Sequence, residues 1–157
     1  MDDVVIIGGG IIGTATAYFL SKEGRKVKVI ERDPTYKTAS FPLSLGGFRR
    51  QFFQKENILL GKFARDFIFK IPEVLKTEKN PNPTASMVTN GYLLMFGPEH
   101  AEEQYRALEN HKECDAGTKN IKGSELSNVF PYINNDGIET ATYTDNQSEG
   151  WIDPFMF

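Results

Sequence analysis

The sequence predicts an α/β fold that opens with a complete β-α-β unit, and three observations carry the prediction. An apolar tetrad, Val4-Val5-Ile6-Ile7, runs straight into Gly8, Gly10 and Gly13 at G-x-G-x-x-G spacing. A helix-forming run continues to Glu23 and stops at Gly24, after which residues 26–31 read as a second strand parallel to the first. Glu31 then puts a carboxylate at the end of that strand. Strand, glycines, helix and acid in this register are what dinucleotide binding requires.

Each residue type has a physical task in that reading. Gly8 allows the sharp turn out of the strand, Gly10 lets the backbone approach a diphosphate with no Cβ in the way, and Gly13 lets helix and strand pack closely. The helix aims its free amides, those of Ile11 and Ile12 among them, and its positive dipole end at the phosphates. Glu31 is placed to accept hydrogen bonds from the adenosine ribose. Arg32 beside it keeps a 2′-phosphate open, although a carboxylate at the ribose position argues against NADP.

Composition removes several other classes. The chain has 157 residues, the length of one domain, and a net charge of −3 from 18 basic and 21 acidic residues spread along it. That balance leaves no basic footprint for nucleic acid or an anionic membrane. The single Cys114 cannot form an internal disulfide, and two histidines, His100 and His111, give no metal-ligand spacing, so no metal is expected. A reducing compartment fits. The N-terminal residues lack the marks of a signal or transit peptide and no apolar run is long enough to span a bilayer, so the expected location is the cytoplasm, or the mitochondrion if a presequence has been removed.

Beyond Glu31 the chain reads as a polar loop, then Ser44-Leu45-Gly46-Gly47-Phe48-Arg49-Arg50. Adjacent glycines followed by paired arginines, so soon after a dinucleotide fold, suggest a backbone close to the cofactor with cations behind it. The plainer alternative is a Gly-Gly turn with two solvated arginines. Residues 56–75 have helical spacing, with Leu59, Phe63, Phe67 and Ile71 on a broad buried face and Leu60, Ala64, Ile68 and Leu75 alongside, and Pro72 predicts a kink or restart. Residues 76–89 read as a mobile surface loop. Residues 91–96 form an apolar strand, and Pro98 starts a helix over about 99–114 with Ala101, Tyr105 and Leu108 on its apolar face. Both histidines and Cys114 belong to that helix as ordinary surface or half-buried residues. A short helix over 124–130, a turn at Asn134-Asn135-Asp136-Gly137, a strand over 138–143 and a helix start at Asp153-Pro154 complete the reading.

On V-V-I-I-G-G-G-I-I-G-T-A-T-A-Y-F-L with V-K-V-I-E-R, on S-L-G-G-F-R-R-Q-F followed by E-N-I, and on the later G-Y-L-L-M-F, S-E-L-S-N-V-F-P and G-W-I-D-P, the sequence resembles the D-amino-acid oxidase-like FAD-dependent oxidoreductases. That family includes glycine oxidase, sarcosine oxidase and dehydrogenase, and dimethylglycine dehydrogenase. The similarity is strongest to the branch of FAD-dependent oxidoreductase domain proteins, one of them a mitochondrial complex I assembly factor. The resemblance implies FAD with its diphosphate at Gly8, Gly10 and Gly13, its ribose at Glu31 and its flavin end toward Ser44, Gly46, Gly47, Arg49 and Arg50. It implies two parts: residues 1–90 in a cofactor domain, and 91–157 opening an antiparallel substrate sheet. Residues 39–50 contain neither histidine nor cysteine, which favours non-covalent FAD.

Three functions follow. The first is oxidation of a C–N bond in an amino acid or secondary amine, with hydride passing to FAD and Arg49 or Arg50 facing the flavin or a substrate carboxylate. The second is an NAD-dependent dehydrogenase, disfavoured because no further parallel β-α unit follows Glu31. The third is a non-enzymatic, flavin-bound assembly factor. A small-molecule partner is expected in the first case, and the electron acceptor is open. The family's usual length also leads us to expect an N-terminal portion that is not a competent enzyme alone.

Overall fold

The structure, a computed structural model, describes residues 3–145 and 148–157. Two compact units divide the chain, Met1–Gly46 and Gly47–Phe157.

In the first unit, strand β1 (Val4–Ile7) lies parallel to β2 (Val27–Ile30), in register Val4 opposite Val27 through Ile7 opposite Ile30. Helix α1 (Ile11–Lys22) connects them. Gly24, at φ 78°, ends the helix in the left-handed conformation that a residue with a Cβ resists. Its amide donates to Ser21 O at 3.0 Å, and the Arg25 amide donates to Leu20 O at 3.0 Å. This is the β-α-β unit that the sequence predicts.

In the second unit, β4 (Leu93–Phe96), β5 (Thr118–Lys122) and β6 (Thr140–Thr144) form an antiparallel sheet in the order β4-β6-β5. Central β6 buries Thr140, Ala141, Thr142 and Thr144, as a strand paired on both edges must. A two-residue ladder joins β3 (Gly47–Phe48) to β7 (Gly150–Trp151). Helix α2 (Lys55–Phe69) ends at Lys70 and α3 (Ile71–Val74) restarts with Pro72 in its first turn, the interruption that a missing amide produces. Helix α4 (Pro98–Glu113) has Pro98 at its start. The predicted 124–130 helix is a 3₁₀ turn (Gly123–Glu125) followed by α5 (Leu126–Val129). The compact units part at 46/47 because the chain from Gly47 through α2 packs with β7 and α4; the expected 90/91 division concerns the whole protein and stays a proposal.

Several expectations need correction. The buried face of α4 keeps the expected Ala101 but runs on through Gln104, Ala107 and His111; Leu108 is half-buried and Tyr105 is exposed. Two alanines let the helix sit close, and the buried polar groups find partners: Gln104 reaches Thr142 Oγ1 at 3.5 Å, and His111 Nε2 lies 2.8 Å from Phe52 O. His111 and Cys114 are therefore buried rather than superficial. On α2 the buried residues are Ile58 and Ile68, while Leu59, Leu60 and Phe63 are exposed. Ile58 packs with Cys114, Ala116 and Phe52, and this turns the larger residues outward. The loop after α3 is pinned at its end: Val88 and Trp151 exchange backbone bonds at 2.8 and 3.0 Å, and Pro83 and Ala85 are buried. Gly150-Trp151 is a strand. The expected helix start at Asp153 is one capped turn, with the Phe155 amide donating to Asp153 Oδ1 at 2.8 Å. Strand β5, alternating polar and apolar only weakly, escaped the sequence reading.

Candidate functional site

The three glycines of the first turn differ in why they must be glycine. Gly8 stands at φ 100°, and its amide donates to Ile30 O at 2.8 Å, locking the turn onto β2. A Cβ on Gly13 would lie 1.9 Å from Gly8 O and 3.4 Å from Ile6 Cγ2. Gly10 is different. It is the N-cap of α1 at φ −65°, ψ 180°, a conformation open to any residue, and a Cβ there would meet nothing within 4 Å. Nothing in the protein itself requires glycine at Gly10, where a Cβ would project into open space. No side chain caps α1 and no acid occupies its first turn, so the amides of Ile11, Ile12 and Gly13, which have no intrahelical acceptor, face that space. An oxyanion suits such a cradle, and a diphosphate fits it.

The Glu31 carboxylate closes the turn from the other strand. Its Oε2 accepts from the Gly9 amide at 2.6 Å and its Oε1 from the Asp33 amide at 2.9 Å. Those bonds, the Asp33 one first, hold its carboxyl below the usual range, with the Arg32 amide and charge adding to them. An ionised carboxylate has about four acceptor sites, so room remains for a hydroxyl donor beside these amides. The cleft over this edge has a volume of about 470 Å³ and is lined by Ile7, Gly8, Ile30, Glu31, Arg32, Asp33, Tyr36, Thr38 and Ala39.

Sequence reasoning missed Gly9, Asp33, Tyr36, Thr38 and Ala39. A Cβ on Gly9 would stand 2.8 Å from Tyr36 Oη and 3.1 Å from Glu31 Cβ, so the Tyr36 and Glu31 side chains close on the middle glycine. Tyr36 adopts φ 55°, which no local pattern announces. Asp33 organises the loop by accepting from Thr35 N at 2.9 Å and Thr35 Oγ1 at 2.6 Å, and the hydroxyl bond is the first cause that holds its carboxyl below the usual range. Ser44 and Gly46 lie outside this lining; Ser44 Oγ accepts from the Gly46 amide at 3.1 Å, and Gly46 sits at φ 63°.

A pH dependence follows from Glu31. Because its pKa is lowered in the folded protein, the Gly9–Glu31–Asp33 clamp is fully present above the ordinary glutamate range. It is lost as the pH falls from there through the lowered folded value. Flavin retention should therefore be flat from neutral pH down to that range and decline below it, and Glu31→Gln should flatten the acid-side decline. Fluorescence of released flavin in a pH series checks this; an identical acid-side decline in Glu31→Gln would exclude the clamp as its cause.

In the second unit, Gly47 and Arg49 share a cleft of about 600 Å³ with Phe48, Phe52, Asn57, Leu60, Gly61, Ala64 and Tyr92. Here too glycine marks close approach, since a Cβ on Gly47 would lie 2.5 Å from Tyr92 Oη. The paired arginines diverge. Arg49 places its guanidinium 4.9 Å from the Phe52 ring centroid, beside the cleft. Arg50 runs toward Gly117, where a Cβ would stand 3.2 Å from Arg50 Nη2, and its Nε is buried with no hydrogen bond among the described residues. Gly61 of α2 presses on the same backbone: a Cβ there would lie 2.4 Å from Arg49 O. Among the described residues there is no cluster of histidine, cysteine and carboxylate side chains able to hold a metal, and no helix long and apolar enough to cross a membrane.

A glycine cradle closed by a strand-end carboxylate is the turn of a dinucleotide-binding β-α-β unit. The chain belongs to the FAD dependent oxidoreductase (DAO) family, which it matches over residues 3–157. It is 40% identical to FAD-dependent oxidoreductase domain-containing protein 1 of Xenopus laevis across 98% of this chain and 32% of that protein. The chain thus spans about a third of the length of the curated relatives it matches, at 32% of the Xenopus and Bos taurus proteins. Among solved structures, L-proline dehydrogenase from P. horikoshii matches with a TM-score of 0.76 at 28% identity, over 99% of this chain and 39% of that one. Glycine oxidase from Geobacillus kaustophilus shares the fold, with a TM-score of 0.72 at 19% identity over 98% of this chain and 41% of that one. The cofactor of this family is FAD.

Proposed function

We propose that the protein carrying this chain oxidises a C–N bond of an amino acid or secondary amine. The observation that carries the reading is the 28% identity, over 99% of the chain, to L-proline dehydrogenase from P. horikoshii, named for a cyclic secondary amino acid. FAD supplies the two-electron acceptor for the hydride leaving the carbon next to nitrogen. The backbone at Gly8 and Gly10 and the amides of Ile11, Ile12 and Gly13 hold the diphosphate, and Glu31 accepts from the ribose with Arg32 beside it. Ser44, Gly46 and Gly47 bring backbone near the flavin, non-covalently because residues 39–50 offer neither histidine nor cysteine. Arg49, exposed on its cleft, pairs with a substrate carboxylate or with negative charge on the reduced cofactor; Arg50, turned to Gly117, is the weaker candidate. In the whole protein, residues 1–90 belong to the cofactor part and 91–157 open the substrate sheet. The same reading places the protein in a reducing compartment, the cytoplasm by default and the mitochondrion if a presequence is removed.

The test is the visible spectrum of the purified flavoprotein, with proline, sarcosine, glycine and D-alanine added anaerobically. Bleaching by one of them supports the reading. Reduction by dithionite with no response to any amine favours the flavin-bound assembly role instead. Arg49→Met keeps aliphatic length and removes the fork; losing a charge-assisted hydrogen bond costs about 1.5–3 kcal/mol, or roughly tenfold or more in the rate of flavin reduction. Stopped-flow reduction of both methionine variants should show the loss at Arg49 and a smaller one at Arg50. Unchanged rates in both return the pair to ordinary surface and packing roles.

A further inference from the structure

Glu149 is fully buried, and among the described residues none of the ion pairs involves it. A carboxylate out of water and without a counter-ion persists only if donors surround it. Four do. Its Oε1 accepts from the backbone amides of Arg50 and Gln51, the latter at 3.1 Å. Its Oε2 accepts from Gln51 Nε2 at 2.9 Å and from Thr144 Oγ1 at 2.6 Å. Its own carbonyl accepts from the Gly91 amide at 2.9 Å. The side chain thereby reaches across 99 positions of sequence to fix the backbone at Arg50, one residue from the cation on the cleft.

The surroundings hold that backbone from every side. Gly61 closes on Arg49 O and Arg50 Cα from helix α2, at 2.4 and 3.3 Å from an added Cβ. Pairing of Gly47 with Trp151 and of Phe48 with Gly150 fixes the strand that leads into it. Gly150, where a Cβ would stand 1.9 Å from Val88 O, locks Glu149's own segment against the loop before β4. A buried anion bonded to two consecutive amides costs desolvation that a neutral side chain would avoid, and what it secures is the conformation of the loop that bears Arg49.

We propose that Glu149 is a positioning residue: it holds the backbone of residues 49–51 so that Arg49 is presented on the cleft. The inference rests on the role given to Arg49 above. A glutamine in place of Glu149 keeps size, but its NH₂ must face either the two backbone amides, which cannot turn, or Gln51 and Thr144, which must then reverse their bonds, and the bonds to the Arg50 and Gln51 amides lose the charge that strengthens them.

The test is the midpoint potential of the bound flavin in the holoprotein, measured for wild type, Glu149→Gln, Glu149→Asp, Arg49→Met, Arg50→Met and the double variant Arg49→Met/Glu149→Gln. Misplacing a cation that favours the reduced, anionic flavin lowers the potential, whereas merely removing a nearby negative charge raises it, so the sign separates the two effects. For Glu149→Gln we expect about a tenfold shift against reduction, which is about 30 mV for a two-electron couple. Glu149→Asp should recover part of it, and the double variant should shift no further than Arg49→Met alone. A shift in Arg49→Met with none, or a rise, in Glu149→Gln overturns the positioning role; additive shifts in the double variant do the same. No shift in either arginine variant overturns the reading of the arginines and takes this inference with it. A lowered melting temperature with unchanged potential marks Glu149 as structural only and also overturns it. Should Glu149→Gln lose flavin, Thr144→Val, which removes one donor to Oε2, takes its place under the same criteria with about a threefold effect.

Discussion

Gly10→Val should leave the protein folded and strip it of FAD. Gly10 lies in an ordinary region of backbone space with no atom within 4 Å of an added Cβ, so the branched side chain strains nothing. The cost to α1 is that of a poor N-cap, about 1 kcal/mol. The same open space is where a diphosphate would approach the amides of Ile11 and Ile12, and a filled site excludes it. Overpacking of 3 kcal/mol or more corresponds to roughly a hundredfold loss of affinity. The apoprotein should melt within a few degrees of wild-type apoprotein while flavin content after purification falls to background. Normal flavin content in a folded Gly10→Val protein would sink the assignment of this turn as the cofactor cradle.

Gly13→Ala should fail in the opposite way, by loss of the unit itself. The new methyl would stand 1.9 Å from Gly8 O, a carbonyl that cannot yield because Gly8 is held at φ 100° with its amide bonded to Ile30 O. A clash with backbone is relieved only by separating α1 from β1, and α1 has no buried residue of its own to hold it in place. A cost at or above the usual 1–3 kcal/mol of overpacking is large against that support. Both the apoprotein melt and flavin content should drop, and amide exchange in residues 4–30 should accelerate. An apoprotein melt equal to wild type would show that helix and strand do not meet at Gly13. Together the two substitutions separate a glycine required by the ligand from one required by the fold.

The β-α-β unit was legible in the sequence because everything that specifies it is local. The glycine spacing, the stop at Gly24 and the acid at Glu31 all lie within one continuous stretch, and the parallel pairing of its two strands emerged as read. The same holds for the restart at Pro72 and the helix start at Pro98, where a missing amide acts wherever the chain goes. Helix faces were less legible. On α2 and α4 the buried residue is decided by what lies opposite: small alanines and bonded Gln104 and His111 go inside, while Leu59, Leu60 and Phe63 stay outside. Burial depends on available partners and close approach, not on side-chain hydrophobicity alone.

By itself, then, the sequence determined the cofactor-binding motif, the resemblance that points to FAD, and a short list of residues including Arg49 and Arg50. Only the tertiary structure distinguished those two arginines, sending one to a cleft and the other against Gly117. It alone brought Tyr36 beside Gly9 through a positive φ, and Glu149 under the amides of Arg50 and Gln51. The physical reason is range: turns, caps and proline breaks are set by neighbours a few residues away. A buried carboxylate draws its donors from wherever folding delivers them, and no pattern within Ser148-Glu149-Gly150 announces the amides 98 and 99 positions earlier that make its burial possible.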